Sequence, residues 1–165
     1  MDVATEAVLG QVFRDHHAWL VRRLALVIGD PDEAQDIAQK VFVRLLERRP
    51  DVEGRSIGPW LAVVGVRLAI SERRRRQLWG LFPLRETDKE WAIGGDPDLW
   101  AALARLDPRT RAALLLNVVD GYTQEEIAQA FAVPRGTVAS WLSRGRQVLR
   151  PILSETLSLE AHDVK

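Results

Sequence analysis

Gly121-Tyr122-Thr123-Gln124-Glu125-Glu126-Ile127-Ala128 and, a few residues on, Gly136-Thr137-Val138-Ala139-Ser140-Trp141-Leu142 decide how this chain folds. Thr123 followed three residues later by Glu126 has the spacing of a capping box, with the threonine as N-cap and the glutamate reaching back to it. Ile127, Ala128 and Phe131 then recur on one helical face. Val133-Pro134 stops that helix, because the residue before a proline avoids the helical region. Pro134 also suits the first turn of the next helix, where a missing N–H is no loss. In that second helix Val138, Leu142 and Leu149 keep to the inner face, leaving Arg135, Ser140, Arg144 and Arg146 to point outward. Helix, tight turn, helix is the arrangement that offers its second helix to the DNA major groove. A helical hairpin that merely packs carries the same local signals, so the motif needs support from the rest of the chain.

That support comes from upstream. Alternating strand patterns are nearly absent and helical periodicity dominates, so the class is all-α. A first helix is expected from Thr5 to Val27, with Val8, Val12, His16, Trp19, Leu20 and Leu24 on one side, ended by Gly29-Asp30-Pro31. Asp32 starts a second, to about Arg49, with an apolar stripe of Ala34, Ile37, Ala38, Val41, Phe42 and Leu45. Pro50 to Gly58 reads as a loop, and Pro59 opens a third helix that runs into Arg73-Arg74-Arg75-Arg76. Gly80, Pro83, Gly94-Gly95 and Pro97 punctuate a linker. It carries Trp79, Leu81, Phe82, Leu84 and Trp91, more large apolar groups than a solvated linker needs, so it packs on a neighbouring domain or docks on a partner. The expected organisation is two small helical domains, residues 1–77 and 99–153, with 78–98 as the linker and 154–165 as a tail.

The bulk properties exclude several classes. The 165 residues suffice for one compact domain or two small ones. No apolar run approaches the roughly 18 residues that span a bilayer, and Met1-Asp2-Val3-Ala4-Thr5-Glu6 is no signal peptide. The absence of cysteine removes disulfide and thiol chemistry and fits a cytoplasmic location. Formal net charge is zero, whereas stand-alone DNA binders are commonly basic, which argues against tight unaided binding. His16, His17 and His162 sit in no recognised catalytic or metal-binding motif, and no phosphate loop or zinc spacing is present. Neither an enzyme nor a cofactor or metal site is expected.

Taken together, two motif sets resemble the sigma-70 family of RNA polymerase sigma factors, and within it the extracytoplasmic-function (ECF) group. Asp32-Glu33-Ala34-Gln35-Asp36-Ile37-Ala38-Gln39-Lys40-Val41-Phe42-Val43-Arg44-Leu45, followed by Trp60-Leu61 and the arginine run, resembles sigma region 2. Ala101-Ala102-Leu103-Ala104-Arg105-Leu106-Asp107-Pro108-Arg109-Thr110-Arg111 with the helix-turn-helix resembles region 4. The resemblance implies bacterial core RNA polymerase, promoter DNA and an anti-sigma factor as partners. It implies that Asp36, Gln39, Lys40 and Arg44 face the polymerase. It implies that the third helix opens and reads the −10 element, with Arg67, Arg73, Arg74, Arg75 and Arg76 following phosphates. Trp60 is there either a core anchor or a stacking platform, and the 50–58 loop would hold a flipped base. The −35 element would be met by Arg135, Thr137, Ser140, Trp141, Arg144 and Arg146, with Arg144 the foremost candidate.

The chain also departs from the family pattern. Ala139 stands where a basic residue is usual, Trp141 where arginine is, and Ala62, Val63 and Val66 where basic residues are common, while Arg67 replaces a common asparagine. Each loss is expected to remove a phosphate or base contact and lower the salt dependence by about one unit. Trp141 has three open roles: stacking, wedging or packing. Two alternatives follow. One is a helix-turn-helix regulator acting on duplex DNA without polymerase. The other is a diverged sigma-like protein with weakened promoter binding.

Overall fold

The computed structural model describes residues 3–48, 57–79 and 97–160, with side chains over 7–48, 57–75, 98–99 and 101–152. Seven helices and no strand are found among them: α1 (Val3–Ile28), α2 (Pro31–Arg48), α3 (Ile57–Trp79), α4 (Pro97–Ala104), α5 (Pro108–Val118), α6 (Gln124–Phe131) and α7 (Arg135–Glu160). The chain divides into two compact units, Met1–Thr87 and Asp88–Lys165. No helix among the described residues is long and apolar enough to cross a membrane.

In the first unit α1, α2 and α3 pack pairwise against one another. Leu20, Leu24 and Val27 of α1 meet the expected stripe of α2 and Leu61, Val63 and Val66 of α3, all essentially closed to water. Each such side chain contributes about 1.5–3 kcal/mol of transfer free energy. The corner between α1 and α2 is sharp because Gly29 takes φ 80° and its N–H bonds the Ala25 carbonyl at 2.8 Å. Asp30 does more than end α1. Its Oδ1 accepts from the N–H groups of Asp32 and Glu33 at 3.0 Å each, so it caps α2, with Pro31 in the first turn. Gly65 lets α3 approach α1, since a Cβ there would lie 2.7 Å from a methyl of Leu24.

The second unit is built around α7, which contacts α4, α5 and α6. Asp107 caps α5, its carboxylate accepting from the N–H groups of Arg109 and Thr110 at 3.1 Å, with Pro108 at the start of the helix. Arg111 is buried, and its guanidinium donates to the carbonyls of Leu106 (2.9 Å) and Ala104 (3.4 Å) at the end of α4. The capping box of α6 forms as its sequence spacing dictates. The Glu126 N–H reaches Thr123 Oγ1 at 3.2 Å, and the Thr123 N–H reaches the Glu126 carboxylate at 2.8 Å.

Several sequence expectations need correction. Val8 is exposed and Leu9 takes its place inside, one residue round the helix. Leu149 is only half-buried. Arg49 and residues 50–56 of the expected loop lie outside the described residues, as do Leu81, Phe82, Leu84 and Trp91 and the side chain of Trp79, while Ile57 and Gly58 already belong to α3. The last helix does not end near Leu153. It continues to Glu160 with Pro151 inside it, so most of the expected tail is helical. A proline forfeits one backbone hydrogen bond, which weakens a helix without obliging it to stop.

Candidate nucleic-acid interface

Three exposed helix faces hold the residues singled out from the sequence. On α2, Asp36, Gln39, Lys40 and Arg44 are all exposed, opposite the buried stripe. Two apolar residues, Val43 (53% exposed) and Leu46 (48%), lie among them. They were legible only as apolar positions falling outside the core stripe. Lys40 does not stand alone: its Nζ is 2.6 Å from Oε1 of Glu72 on α3.

On α3 the pattern of exposure sorts the basic residues. Arg67, Arg74 and Arg75 are exposed, whereas Trp60 is half-buried on the same side of the helix as Arg67. Arg73 turns inward. Its Nη2 donates to the Ile28 carbonyl at 2.7 Å and to Glu33 Oε2 at 2.9 Å, and its Nε lies 3.2 Å from that same oxygen. The side chain of Arg76 lies outside the described residues. Ala62, Val63 and Val66 are each only 1% exposed. They therefore form the core, and the expectation that they mark lost phosphate contacts is wrong: a charge at any of them would be buried.

In the second unit the turn between α6 and α7 is made by Ala132 at φ 54°, with the Val133 N–H on the Ala128 carbonyl at 3.0 Å. The left-handed residue ends α6 before Val133-Pro134 is reached. On α7, Arg135, Ser140, Arg144 and Arg146 are exposed and Thr137 is half-buried. Ser140 Oγ donates back to the Gly136 carbonyl at 3.0 Å, which leaves its lone pairs outward as acceptors. Arg146 Nη2 reaches Asn117 Oδ1 at 3.2 Å, and Asn117 in turn donates to the Tyr122 carbonyl at 2.8 Å. Asn117 thus ties the turn before α6 to α7, a role that sequence reasoning missed because a lone asparagine at a helix end has no distinctive spacing. Trp141 is half-buried and meets Phe131 edge to face at 5.1 Å. Of the three roles left open for it, packing is satisfied. Burial on its own would raise the Asp107 carboxyl. Hydrogen bonding by Thr110 and Arg109, together with the charge of Arg144, outweighs it and holds the group below the ordinary 3.8. Burial first, then the charges of Asp120 and Glu126, raise the Tyr122 phenol above 10.0.

The two histidines of α1 are packing residues. His17 lies 4.7 Å from the Phe13 ring and 5.8 Å from Phe42, and His16 lies 6.1 Å from Trp19. Among the described residues no group of three metal-ligating side chains comes together.

Two helical units, the second carrying a helix-turn-helix with an arginine-bearing outer face, define the class: an all-α protein with a motif of the DNA-binding type. Residues 12–78 match the family model of Sigma-70 region 2, and residues 97–149 match that of Sigma-70, region 4. The chain is 33% identical over 153 residues to the ECF RNA polymerase sigma factor SigE of Mycolicibacterium smegmatis, covering 84% of this chain and 59% of that protein. It is 31% identical over 165 residues to SigL of Mycobacterium tuberculosis, covering 92% of this chain and 93% of the relative. Among solved structures, the sigma factor RpoE of Bartonella quintana, crystallised with the anti-sigma factor NepR, shares the fold. Its TM-score is 0.71 at 22% identity, over 88% of this chain and 96% of that one. The chain belongs to the ECF group of the sigma-70 family of RNA polymerase sigma factors, which are transcription initiation factors.

Proposed function

We propose that the chain joins bacterial core RNA polymerase through the outer face of α2, where Asp36, Gln39, Lys40 and Arg44 are exposed beside Val43 and Leu46. In this reading the first unit binds polymerase and the −10 element, and the second meets the −35 element with the outer face of α7. The chain between α3 and α4, residues 80–96, serves as the linker, shorter at both ends than the expected 78–98 because α3 runs to Trp79 and α4 starts at Pro97. The polymerase carries out the chemistry in the cytoplasm, and the chain itself catalyses nothing. The observation that carries the reading is the pairing of a polar, partly apolar helix face in one unit with a helix-turn-helix in the other. The first face suits a protein groove and the second a DNA groove.

Arg67, Arg74 and Arg75 on α3 follow phosphates of the opened strand, with Trp60 two turns before Arg67 on the same side of the helix. Phosphate contacts fix position and impose salt dependence without reading sequence. On α7, Arg144 and Ser140 offer a donor fork and an acceptor to base edges, and each good bidentate pair is worth about 1–3 kcal/mol of discrimination. Arg135, Thr137 and Arg146 flank them, and Trp141 supports the helix from Phe131. An anti-sigma factor is the regulator we expect, by analogy with the partner of the Bartonella protein.

Reconstitution with purified core polymerase tests the proposal. Wild type should form a holoenzyme and give promoter-specific transcripts, and Asp36→Ala/Gln39→Ala should lose polymerase binding. Salt-sensitive binding of duplex DNA by the chain alone, with no polymerase binding, would leave a helix-turn-helix regulator instead.

A further inference from the structure

The four consecutive arginines of α3 are alike in sequence and unlike in surroundings. From α3, Arg73 reaches two other elements at once. Its guanidinium closes the Ile28 carbonyl at the C-terminus of α1 and forks onto Glu33 in the first turn of α2. The Glu33 side chain is only 9% exposed, so losing Arg73 takes away a charged partner where little water can replace it. One residue earlier, Glu72 takes Lys40 of α2 at 2.6 Å. Adjacent residues on α3 are thus pinned to two separate turns of α2.

Two such pins fix the rotation of α3 about its own axis. At about 100° per residue, Arg67, Ser71 and Arg74 fall within about 60° of one another, and Arg73 lies about 100° away from Arg74. The exposure agrees, since Arg67, Ser71, Arg74 and Arg75 all face outward. A roll of α3 by one residue would turn this whole stripe by about 100°.

We propose that Arg73, through Glu33 and the Ile28 carbonyl, is a positioning residue that sets the rotation of α3 and thereby aims Arg67 and Arg74 at the DNA, without itself contacting a phosphate. The inference rests on the promoter-opening role proposed above. It changes the role of Arg73, which the family resemblance gives as a phosphate contact. It also makes Glu33, an acidic residue, necessary for engagement of a polyanion, which charge alone would not suggest.

The test uses holoenzyme formed from core polymerase and the full chain, with a promoter fragment selected by the wild type. Open-complex formation is followed across a salt series for wild type, Arg73→Ala, Arg73→Lys, Glu33→Ala, Glu33→Ala/Arg73→Ala and Arg74→Ala. All variants are first checked by thermal melting for folding at the assay temperature. Lysine keeps the charge but cannot fork onto Glu33 while bonding the Ile28 carbonyl. The expected result is that the first four variants weaken open complexes by roughly three- to tenfold, the scale of a part-buried charge-assisted contact. The double variant should be no worse than the worse single one, and the slope of log affinity against log salt should match wild type. Arg74→Ala should flatten that slope by about 0.7–0.9, one phosphate's worth. The proposal is overturned if Arg73→Ala flattens the slope while Arg73→Lys and Glu33→Ala behave as wild type, or if every Arg73 and Glu33 variant is indistinguishable from wild type. A wild-type chain that forms no promoter complex with polymerase sinks the functional reading and the positioning role together, and the wild-type control separates that failure from the others.

Discussion

Ala132 occupies a left-handed conformation at φ 54°, a place that glycine fills at no steric cost. The left-handed region costs an L-residue about 1–2 kcal/mol, and the looser unfolded chain of a glycine returns about 0.4–1 kcal/mol of that. Ala132→Gly should therefore stabilise the second unit by about 0.5–1 kcal/mol, seen as a higher midpoint in urea, while Ala132→Val should lower it. A shift of the opposite sign for glycine would mean that the turn is held by its surroundings and not by the residue. Asp107 lends itself to a pH test. Its carboxyl lies below 3.8 when folded, so the stability it contributes is fully present above that value and is lost as pH falls through the folded one. Asp107→Asn keeps a capping oxygen but loses the charge facing Arg144. The variant's stability should vary less between pH 5 and pH 2 than wild type's, and an unchanged profile would show that Asp107 does not contribute to it.

Among the elements, Gly65 and Arg111 do work that periodicity does not reveal. A methyl on Gly65 would lie 2.7 Å from Leu24, which is fully buried and has nowhere to go. Overpacking costs about 1–3 kcal/mol and the gain in helix propensity returns about 1 kcal/mol, so Gly65→Ala should lose about 1 kcal/mol in thermal melts. Arg111→Met should cost about 2–3 kcal/mol, because the carbonyls of Leu106 and Ala104 lose a charged donor. What the sequence made legible follows the same division. Helix periodicity found the stripe of α2, and the Thr123–Glu126 and Asp107-Pro108 signals found two helix starts, because caps and stripes are local. Contacts between elements were hidden: Arg73 on Glu33 spans 40 residues, Lys40 on Glu72 spans 32, and Arg146 on Asn117 spans 29. The burial of Ala62, Val63 and Val66 was hidden for a related reason. A family pattern assigns them to a DNA-facing helix, but only the rotation of α3 on its neighbours says which side is left open to solvent.

At the scale of the whole molecule the charge is balanced, and the unit with the helix-turn-helix is the more acidic one. Residues 88–165 carry nine Lys and Arg against eleven Asp and Glu. Counterion release from a few phosphates is therefore set against a net repulsion, and non-specific binding is at best in the range of about 10⁻⁴–10⁻⁶ M at physiological salt. Holding both units on one polymerase changes the arithmetic, because the second contact becomes intramolecular and overall avidity rises by about 10²–10⁴ without any new contact. The full chain alone should thus bind a promoter duplex no more tightly than an unrelated duplex, by fluorescence anisotropy at about 0.15 M salt. The holoenzyme should discriminate between them. Arg144→Ala should then cost the holoenzyme roughly five- to a hundredfold on the selected promoter and leave the chain alone nearly unaffected. Sequence-selective binding by the chain alone would mean that the outer face of α7 is sufficient by itself, and that tethering to polymerase is not what makes a protein of zero net charge find its site.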